Sequence, residues 1–285
     1  MEYRSVIADI APMYKESDDQ SELADEALFG MVVEILGTEK GFVHVKTHYR
    51  YEGYMPPACL CKGGIDPETW AKTEKWTIWA PYLDVRTRRD VQASFVAACP
   101  RAGLLSVIAE EEWPKLTEGE DEKGWTYVGL PDGRKGFVKT ISIKPEIKGG
   151  SGNWLKENEG KIRQDLVNTA KRYMGSQYRW GGKTPLGLDC SGLTSISYLL
   201  NGIIIYRDAQ IRDGFAMREI PYDNMKEGDL IFFKGHVGMY TGDGEFVHST
   251  AYYLSGGVVM NSLRPESPIY REDLAKSIVK IGSVF

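Results

Sequence analysis

Three residues in the C-terminal half of the chain are of types that together do nucleophilic chemistry. Cys190 lies in Leu188-Asp189-Cys190-Ser191-Gly192-Leu193, directly before a helical run of apolar residues. A helix start carries partial positive charge and unpaired N–H groups, which favour thiolate over thiol. A thiolate nucleophile calls for an imidazole base and a group to orient that base. His236 and His248 are of the right type for both roles, and spacing alone leaves open which is which. The plainer reading makes Cys190 a small buried hydrophobe and the histidines hydrogen-bonded strand residues. A third reading has all three bind zinc, but their separations match none of the common ligand spacings. Zinc is therefore not expected, and a cysteine nucleophile working with imidazole implies no metal and no organic cofactor.

The elements around these residues make the catalytic reading specific. A glycine-rich loop, Tyr178-Arg179-Trp180-Gly181-Gly182, leads to Cys190. Leu193, Ile196, Leu199 and Leu200 then recur at helical spacing, with Asn201-Gly202 as the stop. Earlier, Lys161 to Met174 has the same period and ends at Gly175. Three strand runs follow Cys190: Asp229–Phe233, His236–Tyr240 and Glu245–Ser249, joined by Lys234-Gly235 and Thr241-Gly242-Asp243-Gly244. Side chains alternate along strands, so the last hairpin decides whether the histidines share a face. Closure with Tyr240 opposite Gly244 makes them direct partners. Closure with Tyr240 opposite Glu245 separates them unless a bulge intervenes. The catalytic reading thus predicts a three-residue turn or a glycine bulge at Thr241–Gly244.

The N-terminal half reads as all-β. Strand runs at Met31–Leu36, Gly41–Val45, Tyr51–Met55, Trp76–Trp79, Leu104–Ile108, Trp125–Val128 and Gly136–Val138 alternate with turn residues. Two small barrels, 1–70 and 71–147, are expected, then a linker over 148–160 and a helix-plus-antiparallel-sheet domain over 161–285. The linker is marked by Lys148-Gly149-Gly150-Ser151-Gly152-Asn153. The fold class is α+β preceded by two all-β modules. The chain has 285 residues, a net charge of −5 and four cysteines, which is ordinary for a globular protein and gives no sign of nucleic-acid or membrane binding. The start, Met1-Glu2-Tyr3-Arg4-Ser5, has no basic segment followed by an apolar one. Cys59-Leu60-Cys61 is too tightly spaced for an easy disulfide. A cytoplasmic location and a monomer are the expectations, with export after leader removal as the alternative.

Taken together, Asp189-Cys190-Ser191-Gly192-Leu193, Gly228–Phe233, Gly235–Tyr240 and Phe246-Val247-His248-Ser249 resemble the NlpC-type cell-wall peptidases, which are papain-like bacterial cysteine peptidases. The resemblance runs from about Ile162 to the C-terminus. The N-terminal half is similar, by its barrel rhythm, to the paired bacterial SH3-like domains of γ-D-glutamyl-L-diamino acid endopeptidases.

The resemblance implies Cys190 as nucleophile, His236 as general base and His248 as third member. Tyr178 and the Cys190 N–H would stabilise the oxyanion. Trp180, Asp189 and Ser191 would line the cleft. Asp208 matches an acidic position near substrate, beside Ala209, where relatives often carry serine. Tyr51 and Glu22 would cap the cleft and hold the free L-Ala ammonium of a muropeptide. The implied activity is cleavage of the γ-D-Glu–diamino acid bond in wall turnover or recycling. A catalytically inactive wall-binding protein, or an amidase or acyltransferase on the same scaffold, are the alternatives.

Overall fold

The structure, a computed structural model, describes residues 1–121, 123–149 and 152–285. The chain divides into two compact units, Met1–Glu146 and Ile147–Phe285.

The first unit contains two antiparallel sheets. The first sheet holds β1 (Glu2–Ser5), β2 (Ile10–Tyr14), β3 (Leu23–Leu28), β4 (Val32–Glu39), β5 (Phe42–Thr47) and β6 (Glu52–Met55), in the order β1-β4-β5-β6-β2-β3. A short helix, α1 (Pro67–Lys72), follows, capped by Asp66, whose carboxylate accepts from the Thr69 N–H. The second sheet holds β7 (Trp76–Ile78), β8 (Tyr82–Arg86), β9 (Phe95–Pro100), β10 (Leu104–Val107), β11 (Trp125–Gly129), β12 (Lys135–Lys139) and β13 (Ile143–Pro145), in the order β13-β7-β10-β11-β12-β8-β9. The two sheets are joined closely. Phe29 belongs to the core of the second sheet, and its carbonyl accepts from the Leu104 N–H at 2.8 Å. A Cβ on Gly30 would lie 2.3 Å from the Leu104 carbonyl oxygen, and Gly30 has φ +81°. Only glycine fits that contact.

The second unit is helical first and then sheet. Within the expected linker, Gly150 and Ser151 lie outside the described residues. From Gly152 onward the segment is helical, as α2 (Gly152–Glu157) and the start of α3 (Glu159–Lys171). Part of the segment expected as linker is thus helical, because Leu155-Lys156-Glu157 are good helix formers. α3 buries Ile162, Leu166, Val167 and Ala170, the period seen in the sequence. A small hairpin, β14 (Lys183–Thr184) and β15 (Gly187–Leu188), precedes α4 (Cys190–Leu199). The six-stranded antiparallel sheet holds β16 (Arg218–Ile220), β17 (Leu230–Phe233), β18 (His236–Gly242), β19 (Glu245–Thr250), β20 (Gly257–Ser262) and β21 (Ile278–Ser283), the last after a short helix α5 (Glu272–Ala275). Its order is β16-β21-β17-β18-β19-β20, so the C-terminal strand inserts beside β17. α4 packs on β18 and β19 as well as on α3.

Candidate active site

The position of Cys190 is set by Asp189. This residue is the N-cap of α4, with extended backbone and a carboxylate that accepts from the Gly192 N–H at 2.5 Å. Its other oxygen accepts from the Gly181 N–H at 2.9 Å, tying the glycine-rich loop to the helix start. Arg207, only 2% exposed, donates to both Asp189 oxygens at 3.0 and 3.2 Å and to the Ser191 hydroxyl at 2.8 Å. Gly192 allows the loop to sit against the helix: a Cβ there would lie 2.0 Å from the Gly182 carbonyl oxygen. On the other side, the Ser249 hydroxyl of β19 donates to the Leu188 carbonyl at 2.6 Å. Helix start, loop and histidine strand are thereby locked to one another.

Cys190 is buried at the first position of α4. The N–H groups of Val237, the residue after His236, and of Ser191 favour its thiolate. Burial and the neighbouring Asp189 carboxylate oppose them and win, pushing the thiol up to about 11. This corrects the expectation of a resting thiolate. The helix start acts as expected, but a dry site and an anionic cap outweigh it. Among the described residues no acceptor takes the Cys190 N–H, so this first-turn donor is available to a developing oxyanion.

The two histidines share one face through a glycine bulge within Thr241–Gly244, as the catalytic reading requires, although Tyr240 pairs with neither residue considered from the sequence. Gly242 pairs with Glu245 around the turn Asp243-Gly244, where both turn residues have positive φ, +48° and +73°. Such a two-residue turn matches strand twist and suits Asp-Gly. The register then shifts between Tyr240 and Gly242, leaving Tyr240 opposite Phe246 and Met239 opposite Val247. The bulge restores parity, so His236 and His248 are diagonal neighbours rather than direct partners. His236 Nε2 lies 2.7 Å from His248 Nδ1. Phe233 and Phe246 pack beside these rings, and His248 is fully buried. Burial lowers both imidazoles, His236 to about 3 and His248 to about 4, the neighbouring ring adding to the fall at His236.

Of the other expected residues, Tyr178 stands close to Cys190. Its phenol is pushed up to about 12 by burial and by the sulfur and the Asp189 carboxylate beside it. Its backbone bridges Leu188. Ser191 points its hydroxyl back to Asp189 at 3.1 Å. Trp180 is 59% exposed in the glycine-rich loop. Asp208 lines a small cavity with Tyr206, Arg212 and Phe215. In the first unit, Tyr51 is half-buried before β6, its N–H donating to the Thr47 hydroxyl at 3.0 Å. Glu22 is exposed and ion-paired with Lys15 at 2.5 Å.

Two residues escaped the sequence reading. Arg207 sits next to the noted Asp208, yet nothing in sequence marks it as the partner of Asp189. Asn261 of β20 accepts from His248 Nε2 through Oδ1 at 2.8 Å. Its position becomes visible only through strand register, with Phe246 opposite Asn261.

A helix-borne cysteine set against strand-borne imidazoles on an antiparallel sheet is the layout of a papain-like cysteine peptidase. Residues 175–273 match the model of the NlpC/P60 family, and residues 13–60 match that of the bacterial dipeptidyl-peptidase Sh3 domain. The chain is 38% identical to Dipeptidyl-peptidase 6 of Lysinibacillus sphaericus over 98% of both chains. It is 38% identical to a gamma-D-glutamyl-L-lysine dipeptidyl-peptidase of Bacillus cereus over 39% of this chain and 38% of that one. A crystal structure of an NlpC/P60 family protein from Bacillus cereus has the same fold, with a TM-score of 0.75 at 20% identity and 98% coverage of both chains. The chain belongs to the NlpC/P60 family of cysteine peptidases.

Proposed function

We propose that this enzyme hydrolyses the bond between γ-D-glutamate and the following diamino acid in cell-wall muropeptides that begin with a free L-Ala, in wall recycling. The observation that carries the reading is the placement of Cys190 at the start of α4, beside the strand that holds His236 against His248 at 2.7 Å. The name of the relative matched along nearly its whole length supports release of a dipeptide, and that of the partly matched Bacillus cereus relative supports the choice of bond.

Each step has a group to perform it. The thiol passes its proton to His236 as sulfur attacks the γ-carbonyl carbon. A lone charge on either buried group is costly, but transfer creates an opposite pair whose charges offset one another. The Cys190 N–H and the Tyr178 hydroxyl face the charge that develops on oxygen. His236 then protonates the leaving amine, and the diamino acid portion departs. Water, deprotonated by His236, hydrolyses the thioester and releases L-Ala-D-Glu.

Selection for a free amine is assigned to Tyr51 and Glu22. An ammonium is well held by a carboxylate and an oxygen acceptor, and an acetylated end offers no such charge. Glu22 would exchange its Lys15 partner, which costs little because exposed ion pairs are worth about 0–1 kcal/mol. The test is competition between L-Ala-γ-D-Glu-L-Lys and its N-acetyl form. Cleavage of the free peptide at least tenfold faster, lost in Tyr51→Phe/Glu22→Gln, supports the assignment. Equal cleavage of both peptides refutes it.

A further inference from the structure

We propose that Asn261 is a positioning residue that fixes the protons on both histidines and so makes Nδ1 of His236 the basic nitrogen. The inference rests on the catalytic reading of Cys190 and His236.

A backbone carbonyl can only accept a hydrogen bond. The Ile269 carbonyl lies 3.0 Å from Asn261 Nδ2, so the NH₂ end of the amide must point there. The amide oxygen then faces His248 Nε2 at 2.8 Å and can only accept, so that nitrogen carries the proton. In a neutral imidazole the other nitrogen is then a lone pair. That nitrogen, His248 Nδ1, lies 2.7 Å from His236 Nε2, which must therefore donate. The remaining ring nitrogen, His236 Nδ1, is left as the lone pair. When Nδ1 takes the thiol proton, the Nε2–H bond to His248 is already in place and nothing has to rearrange.

Strand geometry supplies the relay. His236, His248 and Asn261 step diagonally across β18, β19 and β20, with Tyr240 and Asn261 both opposite Phe246. The rings stay neutral because burial disfavours a proton on either. The charged groups that bear on them are Arg271 and Asp273 at the start of α5, which are bound to each other at 2.8 and 2.7 Å, and Asp189 on the far side of His236.

The chain of donors explains why the residue is an amide. An aspartate in its place sets a second acceptor against the Ile269 carbonyl. It also favours the imidazolium form of His248, with a proton on Nδ1. His236 would then have to accept through Nε2 and carry its own proton on Nδ1. The base would be turned off without losing a ring or a contact.

The test uses the full chain with ¹⁵N-labelled histidine and long-range ¹H–¹⁵N correlations, which report the protonated nitrogen of each ring. There are only four histidines to assign: His44, His48, His236 and His248. The wild type should show His236 and His248 both protonated at Nε2 alone. Asn261→Asp should move a proton onto His248 Nδ1 and His236 Nδ1. On L-Ala-γ-D-Glu-L-Lys its kcat should fall by about tenfold or more while KM stays within about twofold. Asn261→Leu should lose the single tautomer at His248 with the same split in kcat and KM. Wild-type tautomers persisting in Asn261→Asp, or a wild-type His236 protonated at Nδ1, would overturn the proposal. If the wild type fails to cleave the peptide, the substrate assignment fails by itself, and the tautomer spectra still decide the role of Asn261.

Discussion

At Cys190 the helix N-terminus and the dry surroundings act on the same thiol in opposite directions. The Val237 and Ser191 N–H groups favour thiolate, while burial and Asp189 hold the thiol up near 11. Alkylation of Cys190 by iodoacetamide should therefore keep rising with pH through 9, followed by mass spectrometry of its peptide. A plateau already reached at pH 6–7 would show a resting thiolate instead. The histidines give a second, independent pH effect. Their native values of about 3 and about 4 lie below the ordinary 6.5, so the unfolded chain binds protons that the native state refuses. Their contribution to stability is full above about pH 6.5, falls progressively as pH drops below it, and is wholly lost once pH has passed through about 4 to 3. Urea midpoints measured from pH 7.5 to 4 should fall, and His248→Gln should flatten the slope. An unchanged slope in that variant would refute the assignment of the titration to this pair.

At the level of elements, the contact between α4 and the glycine-rich loop is where sequence and packing meet. Gly192→Ala puts a Cβ 2.0 Å from a backbone oxygen that no side-chain rotation can relieve. A loss of at least about 1–3 kcal/mol and of peptidase activity is expected, read by thermal unfolding and turnover. Native stability in that variant would contradict the close approach. Asp189→Ala takes the carboxylate away from the buried Arg207 guanidinium and should cost about 3–5 kcal/mol, whereas an exposed ion pair such as Lys276–Glu272 should cost almost nothing when broken. Equal losses for the two would remove the capping network from the account. Helices α3 and α4 and the meander β17 to β19 were legible because apolar period and turn glycines act locally. The meeting of His236 with His248 was legible from residue type and strand parity. So was the need for a three-residue turn or a glycine bulge, since parity along a strand is arithmetic. The particular closure was not, because a two-residue Asp-Gly turn plus a bulge at Thr241 satisfies the same parity as a wider loop. Arg207 and Asn261 were hidden because their roles depend on partners 18 and 13 residues away. The early strands β1 to β3 and the strands β8 and β9 also escaped. Pro12 interrupts β2, acidic residues Asp25 and Glu26 lie buried in β3, and alanines dilute β9, so their apolar alternation is weak.

Over the whole molecule, each of the two compact units has its own apolar cluster. One is built around Val85, Leu105, Val128 and Val138, and the other around Ile231, Phe233, Phe246 and Ile281. A fragment spanning 147–285 should therefore unfold cooperatively by itself, as followed by near-ultraviolet circular dichroism. Featureless spectra would show that the second unit depends on the first. Full-length protein incubated with L-Ala-γ-D-Glu-L-Lys, with products resolved by liquid chromatography and mass spectrometry, should release L-Ala-D-Glu and free lysine, and Cys190→Ala should release neither. No cleavage by the wild type, or cleavage that survives the loss of Cys190, would contradict the account.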